Sequence, residues 1–340
     1  MYAAGVLSFK YQNSDGGNDG WSQPLLLPEL SRCAVVYRPG PLFYAEAGRI
    51  SFSDATELVA SGMFDGFRIQ AVFNAGSLSA SALYTGLLYK EYAEVLMTAS
   101  DSAEFAEPWG FDSGGYFASR RLLAALRWDA PLAGYNTATV EALAQFDLNN
   151  RGADALHSQY LAALVELFPQ GKAALTVAAL FEAMENNEGV FSAALGAAAR
   201  LRMDVPGALN DGIAIALKFG SGAWGNAFAA FTPVSAHPQG MSFNGTMSGL
   251  ALLSLGYSAR LHEAVSIDAN LRYFMRTYDK PEQAGKLLYG AELQAAVNWQ
   301  PFDDLRFNLS GGAFFPGMGN IYPKETSAQW KINAGFTLSL

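Results

Sequence analysis

Three histidines, one cysteine and a set of regularly placed charges are what this sequence offers for chemistry. His157, His237 and His262 each stand beside a turn, far apart in the chain, and Cys33 is alone. No Cys/His pair has metal-ligand spacing, no nucleotide-cradling glycine loop ends in lysine, and no nucleophile motif lies near a histidine. The histidines therefore read as solvated turn residues. The chain is read as no enzyme, and it calls for no cofactor and no metal. The charges are more informative. Arg121, Arg127, Glu141, Glu166, Glu182, Arg200, Arg202, Lys218, Asp268, Arg272, Arg276, Glu292, Arg306 and Lys331 recur at alternate positions within otherwise apolar stretches. Side chains two apart in a strand share a face, so these charges are expected to line one wet surface. Rings of such side chains set the field in a pore and bias which solutes pass. Two outcomes stay open: a positive rim built on Arg200 with Arg202 and Arg272 with Arg276, or cross-strand pairs that fill the interior.

The elements that must position these residues show the alternation repeatedly. In 264–278 one face is Val265, Ile267, Ala269, Leu271, Tyr273 and Met275, and the other is Ser266, Asp268, Asn270, Arg272, Phe274 and Arg276. In 286–299 Leu287, Tyr289, Ala291, Leu293, Ala295, Val297 and Trp299 oppose Lys286, Glu292, Gln294 and Asn298. Segments 190–204 and 304–315 repeat the pattern. The apolar face carries no charge in any of them. Candidate strands fall at 1–12, 31–38, 41–50, 66–73, 77–90, 116–128, 136–148, 157–168, 172–185, 190–204, 211–220, 223–232, 246–260, 264–278, 286–299, 304–315 and 328–340. Most exceed the usual soluble strand and match the roughly 9–11 tilted residues that cross a bilayer. Turn signals include Ser14 to Gly20, Pro39-Gly40, Asn74 to Gly76 and Asn186 to Gly189. An acidic connection runs from Glu91 to Gly115, and it suits surface recognition and insertion into a lumen equally.

The helical alternative is confined to 153–168 and 172–185, both rich in strong helix formers. In the second, Ala173, Leu175, Val177, Ala179, Phe181 and Ala183 still form an unbroken alternate set, which favours a strand. The stretch from Phe219 to Ala259 contains no Lys, Arg, Asp or Glu, but Gly, Asn, Pro233 and Pro238 interrupt it. It reads as two lipid-facing strands around an uncharged loop. Trp128, Phe168, Tyr273, Trp299, Phe315 and Trp330 stand near strand ends, where amphipathic rings favour a lipid–water boundary.

Composition agrees with a strand-rich protein whose outer solvent is lipid. Only 16% of residues are charged and 13% are aromatic, against about a quarter charged in ordinary soluble domains. A net charge of −9 excludes nucleic acid as the expected partner.

The last stretch, Trp330 to Leu340, alternates throughout, with Trp330, Ile332, Ala334, Phe336, Leu338 and Leu340 on one side. Asn333, Gly335, Leu338 and Leu340, with Phe336 between them, resemble the C-terminal signature strand of bacterial outer-membrane β-barrels. A second stretch, Gly48 to Asp54 followed by Ser61 to Gly66, resembles a pattern in large spirochaete outer-membrane barrels. The first resemblance implies an all-β, membrane-spanning antiparallel up-and-down barrel of about sixteen strands, fourteen to eighteen, made of residues 1–340 as one domain. It implies location in the outer membrane of a Gram-negative-type envelope, with the lipid bilayer and the outer-membrane assembly machinery as partners, and residues 333–340 as the assembly signal. It also implies an export signal, with or without an additional strand, ahead of Met1. Sixteen strands enclose a lumen too wide for side chains alone to fill, so the first expectation is a porin-like channel for small hydrophilic solutes. A plugged barrel acting as adhesin or structural protein stays open. So does a transporter of hydrophobic compounds, resting on Leu180, Leu250, Leu252 and Phe274. On this reading Leu293→Arg or Val297→Arg hinders assembly, while Glu292→Gln and Gln294→Arg are tolerated.

Overall fold

The computed structural model describes residues 2–12, 25–90, 93, 95–105, 117–148, 156–186, 191–207, 209–224, 229–278 and 284–338. Sixteen strands form a single sheet in strict sequence order, each antiparallel to the next. They are β1 (Tyr2–Gln12), β2 (Leu25–Gly40), β3 (Phe43–Ser53), β4 (Ser61–Phe73), β5 (Gly76–Tyr84), β6 (Arg121–Pro131), β7 (Thr137–Asp147) and β8 (Leu156–Leu167). The second half comprises β9 (Ala173–Asn186), β10 (Phe191–Asp204), β11 (Gly212–Gly220), β12 (Leu250–His262), β13 (Val265–Arg276), β14 (Leu288–Phe302), β15 (Leu305–Phe315) and β16 (Gln329–Leu338). One short helix, α1 (Ala99–Phe105), interrupts the connection from β5 to β6.

The alternation sorts the two faces as the sequence requires. Leu271, Leu293, Val297, Trp299, Phe307 and Leu309 are exposed, whereas Phe274, Glu292 and Phe314 on the same strands are buried. In β9, Val177 and Phe181 face outward and Ala178, Leu180, Glu182 and Met184 face inward. The pair 153–168 and 172–185 is thus strand rather than helix among its described residues, because each outward apolar set meets lipid-like surroundings at period two. Exposed apolar side chains cover the outside so completely that water is an unsuitable solvent for it.

The two ends differ. At one mouth the connections are tight: 41–42, 74–75, 132–136, 168–172, 205–211, 263–264 and 303–304. At the other they include 54–60, 85–120, 221–249, 277–287 and 316–328. Short turns on one side and long loops on the other are the organisation of outer-membrane barrels. Trp128, Phe168 and Trp299 mark the short-turn mouth, and Tyr273, Phe315 and Trp330 the long-loop mouth. Trp128 stacks on Phe73 at 6.3 Å and Trp299 on Phe307 at 5.2 Å.

Three local expectations change. The described residues of segment 223–232 form no strand, since β11 ends at Gly220 and the described part of 221–249 folds inward. Segment 77–90 leaves the sheet at Tyr84, and the gap between candidate strands 41–50 and 66–73 narrows to 54–60, as β3 runs on to Ser53 and β4 starts at Ser61. The turn cluster Ser14 to Gly20, most of the turn at 186–189, the part of the acidic connection at 106–115, and Leu340 lie outside the described residues.

Candidate functional site

Described parts of three long loops fold into the interior, and each is held by buried charge on the wall. Asp54, 3% exposed, organises the β3–β4 loop. Its carboxylate accepts the N–H groups of Thr56, Val59 and Ala60 at 2.9, 2.9 and 2.8 Å and the Thr56 hydroxyl at 2.5 Å. Glu141 on β7 accepts the next amide, Ala55, at 2.5 Å. A buried carboxylate with several N–H partners has its desolvation offset, so the loop and the acid fix each other.

The 221–249 loop is held at two places. Thr232 donates its N–H to Glu182 on β9 at 2.9 Å, and the Tyr160 hydroxyl on β8 donates to the Thr232 carbonyl at 2.6 Å. On the facing wall Glu292 of β14 accepts three successive amides, Met241 at 2.7 Å and Ser242 and Phe243 at 2.8 Å. Arg272 adds a longer contact to the same carboxylate at 3.4 Å. Three consecutive N–H groups aimed at one anion form a concave nest. Gly240 is needed there, because a Cβ would meet the Glu292 carboxylate at 2.5 Å.

The loops also bind one another across the lumen. Val234 and Ser235 donate to the Val59 carbonyl at 2.8 and 3.0 Å, Ser61 and Ser235 exchange hydrogen bonds, and a ring nitrogen of His237 lies 2.7 Å from the Ser61 carbonyl. Leu96 of the third loop donates to the Val234 carbonyl at 2.8 Å. That third loop is fixed by Arg121 on β6, which is fully buried between Asp101 of α1 and Asp147 of β7. Strands from β4 to β15 thus surround and contact the same inserted segments, which requires the sheet to be curled into a barrel.

The charged candidates divide accordingly. All face inward where described, as their strands require. Arg121, Glu182, Arg276 and Glu292, however, are buried beneath loops or bonded to backbone, so their charge meets protein rather than a water-filled passage, and Glu141 accepts the Ala55 amide at the edge of a cavity. Tolerance of Glu292→Gln is no longer expected, because one amide oxygen cannot replace a carboxylate that accepts three N–H groups. Leu180, Leu250, Leu252 and Phe274 join a core with Leu58, Phe231, Val234, Phe243 and Met247 from the loops. Phe243 stacks on Phe274 at 4.1 Å. Their apolar surface is covered, which removes the ground for a passage lined by hydrophobic residues.

Toward the short-turn mouth the wall is open and polar. A cavity of about 590 Å³ is lined by Arg200, Arg202, Asp211, Tyr257, Asp268 and Asn270. Beside it lies one of about 350 Å³, bounded by Thr56 and Glu57 of the inward loop and by Arg200 and Lys218. Across the barrel a third, of about 370 Å³, is lined by Arg38, Arg68, Arg127, Asp129 and Glu141. Arg272 faces inward against Glu292, Arg306 lines a further cavity with Arg260, and Glu166 and Lys331 face inward on β8 and β16. Glu57 carries no signal in the alternation, since it sits in a loop. Of the proposed assembly residues, Asn333, Gly335, Phe336 and Leu338 lie on β16, with Phe336 74% and Leu338 54% exposed.

No family model matches the chain, and no curated protein resembles it in sequence. Solved structures do. Pseudomonas aeruginosa OccK3 (OpdO) superposes with a TM-score of 0.57 at 10% identity, over 93% of this chain and 82% of that one. OccK5 (OpdH) of the same organism gives 0.56 at 11%, over 92% and 82%, and OccK10 (OpdN) gives 0.53 at 11%, over 98% and 97%. None of these comes from a spirochaete, and the 48–66 stretch owes its composition to the β3–β4 hairpin: Arg49 pairs with Asp65 at 2.9 Å, and Asp54 caps the loop between them. Likeness at such identity carries the fold, and the fold of this chain is that of a porin-like outer-membrane β-barrel.

Proposed function

We propose that the protein is an outer-membrane channel through which small hydrophilic solutes diffuse passively, with no catalytic step. One observation carries the reading. The buried acids Asp54, Glu141, Glu182 and Glu292 are engaged by loop amides, while Arg200, Arg202 and Lys218 line open cavities. The lining left to water is therefore more basic than a net charge of −9 suggests. Such a lining favours solutes that carry negative charge. The plugged alternative is less well supported, because the inward-folded loops leave polar cavities of about 590, 370 and 350 Å³ along the wall. The lipid bilayer is the solvent for the exposed apolar band. Residues 333–340 would be read by the outer-membrane assembly machinery, and residues 1–340 form one barrel.

The test is single-channel recording from the full chain inserted in a planar bilayer. Discrete conductance steps with a reversal potential favouring anions are expected, and the preference should weaken as salt rises toward molar concentration, where the Debye length is only about 3 Å. Electrical silence from protein shown to be inserted would overturn the channel reading.

A further inference from the structure

Four residues outside glycine adopt positive φ among those described: Glu57, Tyr135, Phe168 and Asn210. Tyr135, Phe168 and Asn210 stand in the tight connections at the short-turn mouth, where such backbone is ordinary turn geometry. Glu57, at φ 56°, stands instead on a loop inside the barrel. A β-methylene makes that region unfavourable for glutamate, and residues are held there only where the surroundings over-determine them. They are so held here. Asp54 captures the amides on either side, Glu141 captures Ala55, and Leu58, Val59 and Ala60 are 4, 2 and 1% exposed in the core. The loop is thereby a rigid pedestal that leaves Glu57 exposed at its tip.

What the tip faces is a second, independent observation. The cavity of about 350 Å³ has Glu57 on one side and Lys218 and Arg200 on the other. Its intervening wall is mostly of small side chains, Ala198, Ala214 and Ala216 among them, with Leu164, Leu217 and Asn270. Glu57 is close enough to act on Lys218 electrostatically, yet no ion pair joins them. Among the described residues no protein group satisfies the carboxylate of Glu57, the ammonium of Lys218 or the guanidinium of Arg200. Opposite charges held apart over a small-residue floor leave room for a molecule that bears both signs itself.

We propose that Glu57 is a specificity residue, and that with Lys218 and Arg200 it forms a two-sign site for small zwitterions, their ammonium end meeting Glu57 and their anionic end the two basic groups. This rests on the channel reading above and adds to it the class of solute that the lumen distinguishes. A simple anion satisfies only the basic side and leaves Glu57 as a repulsive neighbour, whereas a zwitterion satisfies both.

The experiment compares entry of isotope-labelled alanine and lactate, similar in size and differing by ammonium against hydroxyl, into liposomes that carry the full chain. In wild-type protein alanine is favoured. With Glu57→Gln the alanine-to-lactate ratio should fall about threefold to fivefold, the size of one partly solvated charge contact. Glu57→Gly, which relieves the backbone, should lower it equally, and Glu57→Asp should keep the ratio within about twofold of wild type. Heat-modifiable migration in gels confirms a folded barrel in each case. An unchanged ratio in both neutral variants, with both solutes still entering, overturns the role of Glu57 and leaves the channel intact. Exclusion of both solutes by inserted wild-type protein overturns the channel reading and this inference with it.

Discussion

Glu292 shows how a single inward residue can be read correctly for direction and wrongly for role. Period-two alternation in 286–299 puts it on the inner face, and the structure agrees. Alternation says nothing about what meets that side chain. The partners are amides 49 to 51 residues away on a loop, and no short-range pattern encodes such a meeting. The same holds for Glu141 with Ala55 and Glu182 with Thr232. The consequence is testable. Glu292→Gln removes one acceptor oxygen beneath three N–H donors and should cost about 1–3 kcal/mol, the desolvation of one buried amide left without a partner. Glu292→Ala, which strands all three, should cost more. The urea midpoint of the detergent-solubilised barrel reads the effect, and the channel current should become noisier as the loop loosens. A midpoint equal to wild type in the alanine variant would show that the nest contributes nothing to holding the loop.

At the scale of the strand and the loop, legibility followed the solvent. Strands with lipid on one side and charge on the other, such as β13 and β14, announce themselves because a misplaced Arg or Lys at mid-bilayer costs about 2–4 kcal/mol. Segment 221–249 invites a strand at 223–232 because it too lacks charge. Its apolar residues serve a different purpose: Phe231, Val234, Phe243 and Met247 are buried against the inner wall. Burial in protein and exposure to lipid select the same residue types, and only the lack of alternation, with Pro233, Pro238 and Gly240, separates them. The two faces of β14 provide the direct check. Leu293→Arg, at a site 53% exposed on the outside, should prevent insertion or lower the yield of heat-modifiable barrel severalfold. Asn298→Arg, whose side chain enters a cavity of about 370 Å³ beside Arg260 and Arg306, should insert as wild type and shift selectivity further toward anions. Equal yields of the two variants would contradict the assignment of the outer face.

For the molecule as a whole, stability and passage are divided between different parts of the chain. The wall is held by continuous antiparallel pairing, with β11 and β12 joined in unbroken register from Gly212 opposite Ser258 to Phe219 opposite Ala251. The inserted loops are held by side chains that reach to them from that wall. Pairing does not need the loop that links the two strands, since a hairpin register can be kept by a short turn. Replacing residues 223–247 by a short glycine- and serine-containing turn should therefore leave a heat-modifiable barrel. The same change uncovers Phe274 and Phe314, leaves Glu182 and Glu292 without their loop amides, and removes the partners of Val59 and Ser61. It should widen the passage and add uncompensated acid to its wall. Single-channel conductance is then expected to rise severalfold while the anion preference falls or reverses, because two carboxylates newly face water beside Arg272. A barrel that keeps wild-type conductance after this change would mean that another segment sets the narrowest point. A barrel that no longer forms would mean that the inserted loop, rather than strand pairing, organises the wall, and the division of labour argued from the hydrogen bonds would fail.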